Sequence, residues 1–244
     1  MNELYKVWNN ANHLKGVVGT SNTYKKYIPL AIDFTKKSSV TWITGGTKEN
    51  REKLIINIFD SMAYNSHQGQ FEIAFINFEN KKNKMNNLKR YLDTHKEYQS
   101  PLTYSIVNSS YQKIINLKNE KVARMEYFNA HDYKSINDFN RSESKTMPYI
   151  FLVLTNLQYT QLKEKQNWEN NLKFLINDTT DVGIRTIITM ENYQMIFNNS
   201  DLIASLRKDI TMELNEKDSF SISYRNSDKL YGKLLQSGDS DDTE

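Results

Sequence analysis

The feature that most constrains this sequence is a short apolar segment that runs into two glycines and then into an amphipathic segment. Residues 40–44 have the composition of a buried strand, Gly45 and Gly46 follow, and apolar residues recur at helical spacing from Leu54 to Ala63. A strand, a glycine turn and a helix in this order form the frame of a phosphate-binding loop, whose pattern is G-x-x-x-x-G-K-[ST]. The frame therefore predicts the architecture of a nucleotide site at this turn.

The groups that hold phosphate and magnesium in such a loop are mostly replaced. Aligned on the first glycine, the loop comprises Gly45, Gly46, Thr47, Lys48, Glu49, Asn50, Arg51 and Glu52. Asn50 stands at the second glycine, and we expect it to keep the loop shape because Asn tolerates positive φ. Arg51 keeps the charge of the usual lysine, but as a bulky planar fork. Glu52 replaces the hydroxyl that ligates Mg²⁺, and its carboxylate would repel phosphate. The alternative is that Gly45 and Gly46 form only a strand-to-helix turn, and this segment alone leaves both interpretations open.

A second apolar segment, residues 148–157, favours the first interpretation. It has the composition of a strand buried in a parallel sheet. In phosphate-loop ATPases the matching strand ends in an acidic pair, which holds Mg²⁺ and polarises the attacking water. Thr155 and Asn156 stand at those positions, and neither can act as a general base at neutral pH or supply the charge for a divalent ion. We therefore expect no catalytic residue and no metal ligand, and at most weak binding of ATP and Mg²⁺.

The composition fits one large α/β domain. The chain has 244 residues with a net charge of +3, and it contains no cysteine, so disulfides and thiolate metal sites are excluded. No apolar run is long enough to form a membrane helix. We expect residues 1–13 to be a linker and residues 14–236 to be the domain. Residues 237–244 contain four acids and are expected to form a disordered tail.

Strand-like and helix-like segments alternate along the chain. Strands are predicted at 30–34, 40–44, 71–78, 102–107, 148–154, 183–189 and 209–214, with 71–78 as a central strand. Helices are predicted at 49–65, from Ser109 or Ser110 to about 128, and at 161–177. In the second helix the predicted inward residues are Ile114, Ile115, Leu117, Val122 and Met125. The alternation predicts a mostly parallel sheet with helices on both faces.

Further segments carry a resemblance to a known family. Glu120, Arg124, Tyr127 and Phe128, followed by Ile136, Phe139 and Asn140, are similar to a stretch E-M-x-R-R-Y-x-L-F…V-R-x-I-x-x-Y-N, and residues 183–189 resemble a strand G-I-H-L-I-L-A. The T-Q-R-P that usually follows this strand is replaced by M-E-N-Y. Together with the two degenerate motifs, these segments resemble the FtsK/SpoIIIE family of phosphate-loop ATPases over residues 14–236. The opening, residues 15–34, resembles the tandem modules of type VII secretion motors, with Gly19 in place of their first aspartate.

The resemblance implies a RecA-like fold and a place as the last cytosolic module of a longer, membrane-anchored type VII secretion motor. It implies two kinds of partner: secreted substrate proteins with C-terminal signal peptides, and neighbouring ATPase modules of the same motor. A hexamer in the full motor is compatible with it, and no nucleic acid is expected.

Three functions remain open from the sequence. The first is a non-catalytic module that binds substrate or regulates its neighbours, which the replaced catalytic groups favour. The second is a divergent but active ATPase, which uses Arg51 for phosphate and takes acidic groups from a neighbouring subunit. The third is a DNA translocase module, against which the mild net charge and the secretion-type opening weigh.

Overall fold

The computed structural model describes residues 14–23, 26–36, 40–67, 69–78, 87–102, 110–157, 165–191, 200–215, 219–225 and 229–234. The predicted linker at 1–13 and the predicted acidic tail at 237–244 lie outside these residues. So does nearly all of the predicted strand at 102–107.

The described strands form one nine-stranded sheet. They are β1 Lys15–Thr23, β2 Lys26–Asp33, β3 Val40–Gly45, β4 Phe71–Asn77, β5 Tyr149–Thr155, β6 Ile184–Met190, β7 Ile210–Leu214, β8 Ser219–Tyr224 and β9 Leu230–Lys233. Their order in space is β2-β1-β9-β8-β7-β3-β6-β5-β4. The five strands from β7 to β4 are parallel, and β8, β9, β1 and β2 extend the sheet with antiparallel pairs.

Six α-helices accompany this sheet in the described part of the chain: α1 Lys48–Asn65, α2 Asn87–Thr94, α3 Ser110–Ala130, α4 Ile136–Ser142, α5 Lys165–Asn177 and α6 Ser200–Ser205. A short 3-10 turn spans Lys96–Tyr98. α1 packs against β1, where the Val17 N–H donates to the Ser61 hydroxyl over 2.7 Å in a buried contact. None of the described helices is long and apolar enough to cross a membrane.

The parallel strands show why the sheet is covered on both faces. Every residue of β5 and of β6 is buried, although successive side chains of a strand point to opposite faces. The core runs through these strands and the apolar side of α1, including Leu54, Ile58 and Met62. The predicted α/β fold with a large sheet flanked by helices is confirmed.

Three details of the prediction are wrong. The strand at 71–78, expected to be central, is β4 and lies at one end of the described sheet. The sequence did not indicate β1, β8 or β9 as strands, and β1 occupies the segment before the first predicted strand. On α3 the buried residues include Lys121 and Arg124, while Ile115, Val122 and Met125 are only partly buried.

Candidate functional site

The glycine turn lies where the topology favours a ligand site. It follows β3, which lies between β6 and β7, so the carboxyl ends of three parallel strands surround it. Gly45 and Gly46 both have left-handed backbone conformations, with φ of 74° and 57°. A Cβ atom on Gly45 would lie 2.4 Å from the carbonyl oxygen of Leu214, so only glycine fits between β3 and β7 here.

The helix begins earlier than the phosphate-loop pattern requires. α1 starts at Lys48, and Thr47 caps it by accepting a 3.1 Å hydrogen bond from the Asn50 N–H. The connection between β3 and α1 is therefore Gly46 and Thr47, which is shorter than the segment between the two glycines of the G-x-x-x-x-G-K-[ST] pattern. Asn50 lies in the first turn of α1 and not at positive φ, so the expectation that it keeps the loop shape is wrong.

Arg51 turns back onto the glycine turn. Its side chain is 3% exposed, and Nη1 donates to the carbonyl oxygens of Gly45 at 2.7 Å and Gly46 at 2.9 Å. Nη2 lies 4.0 Å from a carboxylate oxygen of Glu191, which follows β6. The guanidinium that the alignment places against phosphate thus binds the backbone of its own turn.

A backbone N–H group of the turn is also engaged in a hydrogen bond. The Gly45 N–H donates to the Glu191 carbonyl oxygen over 2.9 Å, which joins the end of β3 to the residue after β6. The first turn of α1 still carries N–H groups without intrahelical partners, as every helix start does, and these favour negative charge. The chemistry that remains at the turn is weak attraction for an anion, without a free guanidinium to clamp it.

Glu52 is directed to α2 instead of the glycine turn. It is buried, and Oε2 accepts a 3.0 Å hydrogen bond from the Asn87 N–H at the start of α2. Oε1 is buried without a hydrogen-bond partner among the described residues. Burial raises the pKa of the Glu52 carboxyl, and the Asn87 N–H lowers it by a smaller amount.

Thr155 and Asn156 meet a third polar residue at the carboxyl ends of β4 and β5. The Thr155 hydroxyl donates to Asn77 Oδ1 over 3.1 Å, and Asn156 Nδ2 donates to the same oxygen over 2.9 Å. Asn156 has a φ of 60°, one of two positive values among the described residues that are not glycine. All three side chains are neutral, so this cluster offers hydroxyl and amide groups where a divalent cation would need carboxylates.

Sequence reasoning missed Asn77 and Glu191 as members of this region. Asn77 is the last residue of β4, and Glu191 directly follows β6. The signal that would have found them is positional, because polar residues directly after buried parallel strands meet at one edge of the sheet.

The residues that carry the family resemblance on α3 and α4 serve packing. Arg124 Nε donates to Glu120 Oε1 at 2.7 Å, and Nη1 donates to the carbonyl oxygens of Pro148 at 2.9 Å and Val182 at 3.1 Å. Phe128 of α3 stacks on Phe139 of α4 with ring centroids 5.8 Å apart. These contacts fix α3 and α4 against the starts of β5 and β6.

Comparison of the fold with solved structures finds type VII secretion ATPases. The cytoplasmic domain of EccC from Thermomonospora curvata matches with a TM-score of 0.63 at 13% identity, over 99% of this chain and 32% of that one. EssC ATPases 2 and 3 from Geobacillus thermodenitrificans match with a TM-score of 0.65 at 14% identity, over 96% of this chain and 47% of that one. EccC ATPases 2 and 3 from T. curvata, solved with a signal sequence peptide, match with a TM-score of 0.66 at 13% identity, over 98% and 45%.

These matches confirm the resemblance to FtsK/SpoIIIE-type modules of EssC at the level of the fold. The chain spans between about a third and a half of the structures it matches. No protein-family model and no curated protein sequence matches it.

Proposed function

We propose that this chain is a module of a type VII secretion motor that does not hydrolyse ATP and acts in substrate recognition or in regulation of its neighbours. The observation that carries the proposal is the contact of Arg51 with the carbonyl oxygens of Gly45 and Gly46. The Arg51 guanidinium has to break its hydrogen bonds to the Gly45 and Gly46 carbonyl oxygens, which are partly buried, before it can bind phosphate. That exchange lowers any affinity for nucleotide.

The other half of the site supports the same function. Hydrolysis needs a carboxylate to hold Mg²⁺ and a base to orient water. Thr155 and Asn156 supply a hydroxyl and an amide that are already bonded to Asn77. A neighbouring subunit would have to supply both missing groups. The first turn of α1 favours residual anion binding, and this is the observation that supports the alternative of a divergent ATPase.

The partners are proposed from the fold relatives. An EccC fragment with the same fold has been solved with a signal sequence peptide, and we infer that this chain also binds the C-terminal signal peptide of a secreted substrate. The physical mode is an amphipathic helix whose apolar face lies in a groove, with modest affinity that tandem or oligomeric copies raise by avidity. Neighbouring ATPase modules of the same motor, on the cytoplasmic side of the cell membrane, are the second proposed partner.

Calorimetry with Mg-ATP tests the catalytic half of the proposal. We expect no phosphate release and at most weak binding. The triple variant Asn50→Gly, Arg51→Lys and Glu52→Ser is the matched comparison, and it should gain more affinity than hydrolysis because Asn156 still cannot polarise water. A micromolar dissociation constant with phosphate release by the unaltered chain would refute the proposal. Unchanged affinity in the triple variant would mean that the alignment on Gly45 is wrong.

Fluorescence titration with a labelled signal peptide tests the binding half. Binding should depend on the apolar residues of the peptide and change little between low and moderate salt. A peptide with those residues replaced by Ser is the control. Tighter binding to duplex DNA, with a steep salt dependence, would favour the translocase function instead.

A further inference from the structure

A polar cavity lies at the edge of the sheet opposite the glycine turn. It has a volume of about 420 Å³ and is lined in part by Leu14, Gln70, Arg141 and Tyr149. Gln70 directly precedes β4 and Tyr149 begins β5, and these strands are parallel, so the cavity lies beside their amino ends. Its size is within the range of small-ligand pockets. No residue of the glycine turn contributes to it, so it does not depend on the function proposed above.

Some lining groups are already engaged and others are not. The Tyr149 hydroxyl donates to Asn137 Oδ1 over 2.6 Å, and Asn137 Nδ2 donates to the Thr35 carbonyl oxygen over 2.9 Å. In contrast, no hydrogen bond or ion pair engages the side chains of Gln70, Arg141 or Thr146 within the described part of the chain. The cavity thus presents a guanidinium, an amide and a hydroxyl that are able to donate.

The charges around Tyr149 indicate the sign of the ligand. The Arg185 guanidinium lies 4.9 Å from the centre of the Tyr149 ring, and its buried Nη2 has no hydrogen-bond partner among the described residues. The two nearby carboxylates are occupied. Asp181 binds Arg185 Nη1 at 2.8 Å, and Asp33 Oδ1 accepts from the N–H and the hydroxyl of Thr35 at 3.0 and 2.6 Å. Arg141 is therefore the charged group at the cavity that is open to a partner.

We propose that this cavity binds a carboxylate, with Arg141 as the charged partner and with Gln70 and Thr146 as further hydrogen-bond donors. A planar guanidinium and a carboxylate form two parallel charge-assisted hydrogen bonds, which makes this pairing stronger and more directional than binding of a spherical anion. The same chemistry is found in a small di- or tricarboxylic acid and in an acidic side chain of a peptide.

Calorimetry on the full chain at constant ionic strength tests the site. The probes are citrate and succinate, the acidic dipeptide N-acetyl-Glu-Glu-amide, and the neutral analogues succinamide and N-acetyl-Gln-Gln-amide. Arg141→Gln removes the charge from an exposed position, and Arg90→Gln is the matched control because Arg90 is an exposed arginine on α2. Gln70→Leu provides a second variant at the cavity.

The carboxylates should bind and their amides should not. Arg141→Gln should weaken carboxylate binding about tenfold or more, Gln70→Leu about threefold, and Arg90→Gln less than twofold. Tighter binding of the dipeptide than of the free acids would support the site and identify its ligand as an acidic peptide. Tighter binding of the free acids would support the site and identify its ligand as a small carboxylic acid. Equal binding of acids and amides, equal losses in Arg141→Gln and Arg90→Gln, or no binding of any carboxylate at millimolar concentration would overturn the proposal.

Discussion

Buried cations donate hydrogen bonds to backbone carbonyl oxygens in two regions of this molecule, and the two regions differ in the distance from the cation to the carboxylate beside it. At the junction of α3, α5 and β6, Lys121, Arg124 and Arg185 each donate to backbone carbonyl oxygens. Each of the three also has a carboxylate oxygen within 3.2 Å. At the glycine turn Arg51 donates to two carbonyl oxygens in the same way, but the carboxylate of Glu191 is 4.0 Å away and 44% exposed.

The comparison concerns how the charge of Arg51 is compensated at a turn that has the strand-glycine-helix frame of a nucleotide site. A buried cation has to be compensated by hydrogen bonds and an opposite charge. In a working phosphate loop the bound nucleotide supplies that charge. Here the turn supplies carbonyl oxygens, as the structural junction does, and the Glu191 carboxylate lies farther from its cation than the carboxylates of the junction lie from theirs. The turn therefore resembles the junction in its hydrogen bonds and differs from it in this distance.

The largest effect is expected at the structural junction. Arg185→Met leaves the Asp181 carboxylate and the Phe34 carbonyl oxygen without their partner, and we expect the free energy of unfolding to fall by about 3–5 kcal/mol in urea titrations. Arg225→Met is the control, since Arg225 also pairs with an aspartate but its side chain is 64% exposed. That change should cost less than about 1 kcal/mol. Similar losses in the two variants would show that Arg185 is not compensated as the structure indicates.

A smaller effect is expected at the glycine turn. Arg51→Met removes the donors to the Gly45 and Gly46 carbonyl oxygens, and we expect a loss of about 1–3 kcal/mol, with roughly half of it recovered in Arg51→Lys. Urea titrations of both variants, with and without Mg-ATP, measure this loss in the free energy of unfolding. If Arg51→Met leaves stability unchanged, the turn is open in solution. The likeness between the two regions would then disappear and the divergent-ATPase alternative would gain support.

The parts of the fold that sequence predicted well are the buried parallel strands and the helix that faces them. β3, β5, β6 and β7 begin and end within one or two residues of their predicted positions, because each is a short segment rich in apolar and β-branched residues. β1, β8 and β9 mix apolar and polar residues and pair antiparallel, mostly with strands that are adjacent in the chain. A mixed composition gives little strand signal in a sequence, because strand preference depends on the packing of side chains against neighbouring strands.

The buried cations explain why the site itself was only partly predictable. Helical periodicity assigns Lys121 and Arg124 to solvent, but their partners are carbonyl oxygens of Phe174 and Pro148, far along the chain. The assignment of residues 45–52 to a degenerate phosphate loop came from the motif alone and stays a prediction. The contact of Arg51 with the turn was not predicted, although the predicted helix at 49–65 begins within one residue of α1, because neither periodicity nor a loop pattern shows which side chain folds back onto the preceding turn.

A pH experiment on Tyr149 sharpens the description of the structural junction. Burial raises the pKa of Tyr149 from 10.0 to about 12, against a smaller lowering by Arg185. The native state then holds the phenol proton more tightly than the unfolded chain does, so this stability is present below pH 10 and is lost as pH rises towards 12. Tyr149→Phe should cost about 1 kcal/mol at pH 7, from the hydrogen bond to Asn137. Between pH 9 and pH 11.5 the free energy of unfolding of Tyr149→Phe should fall by about 2 kcal/mol less than that of the unaltered chain.

Urea titrations at several pH values measure this difference. Tyr231→Phe is the control because Tyr231 is 68% exposed. Parallel pH profiles for Tyr149→Phe and the unaltered chain would contradict the burial of the Tyr149 phenol.

The smallest effect is expected at Glu52, the buried anion beside the glycine turn. Its Oε2 accepts from the start of α2, and its Oε1 is buried without a hydrogen-bond partner among the described residues. Burial raises the pKa of this carboxyl above its ordinary value of 4.5, so the native state binds the proton more tightly than the unfolded chain. This contribution to stability is present at low pH and is lost as pH rises from about 4.5 through the native pKa.

Glu52→Gln keeps an acceptor for the Asn87 N–H and removes the charge, so it should change stability at pH 7 by less than about 1 kcal/mol. The informative quantity is the difference between the variant and the unaltered chain at pH 5 and at pH 7, with Glu49→Gln, at an exposed position in the same helix turn, as the control. The unaltered chain should gain stability relative to Glu52→Gln on acidification. An identical difference at both pH values would mean that Glu52 is as well compensated as the cations, and the contrast between the turn and the structural junction would then be confined to Arg51.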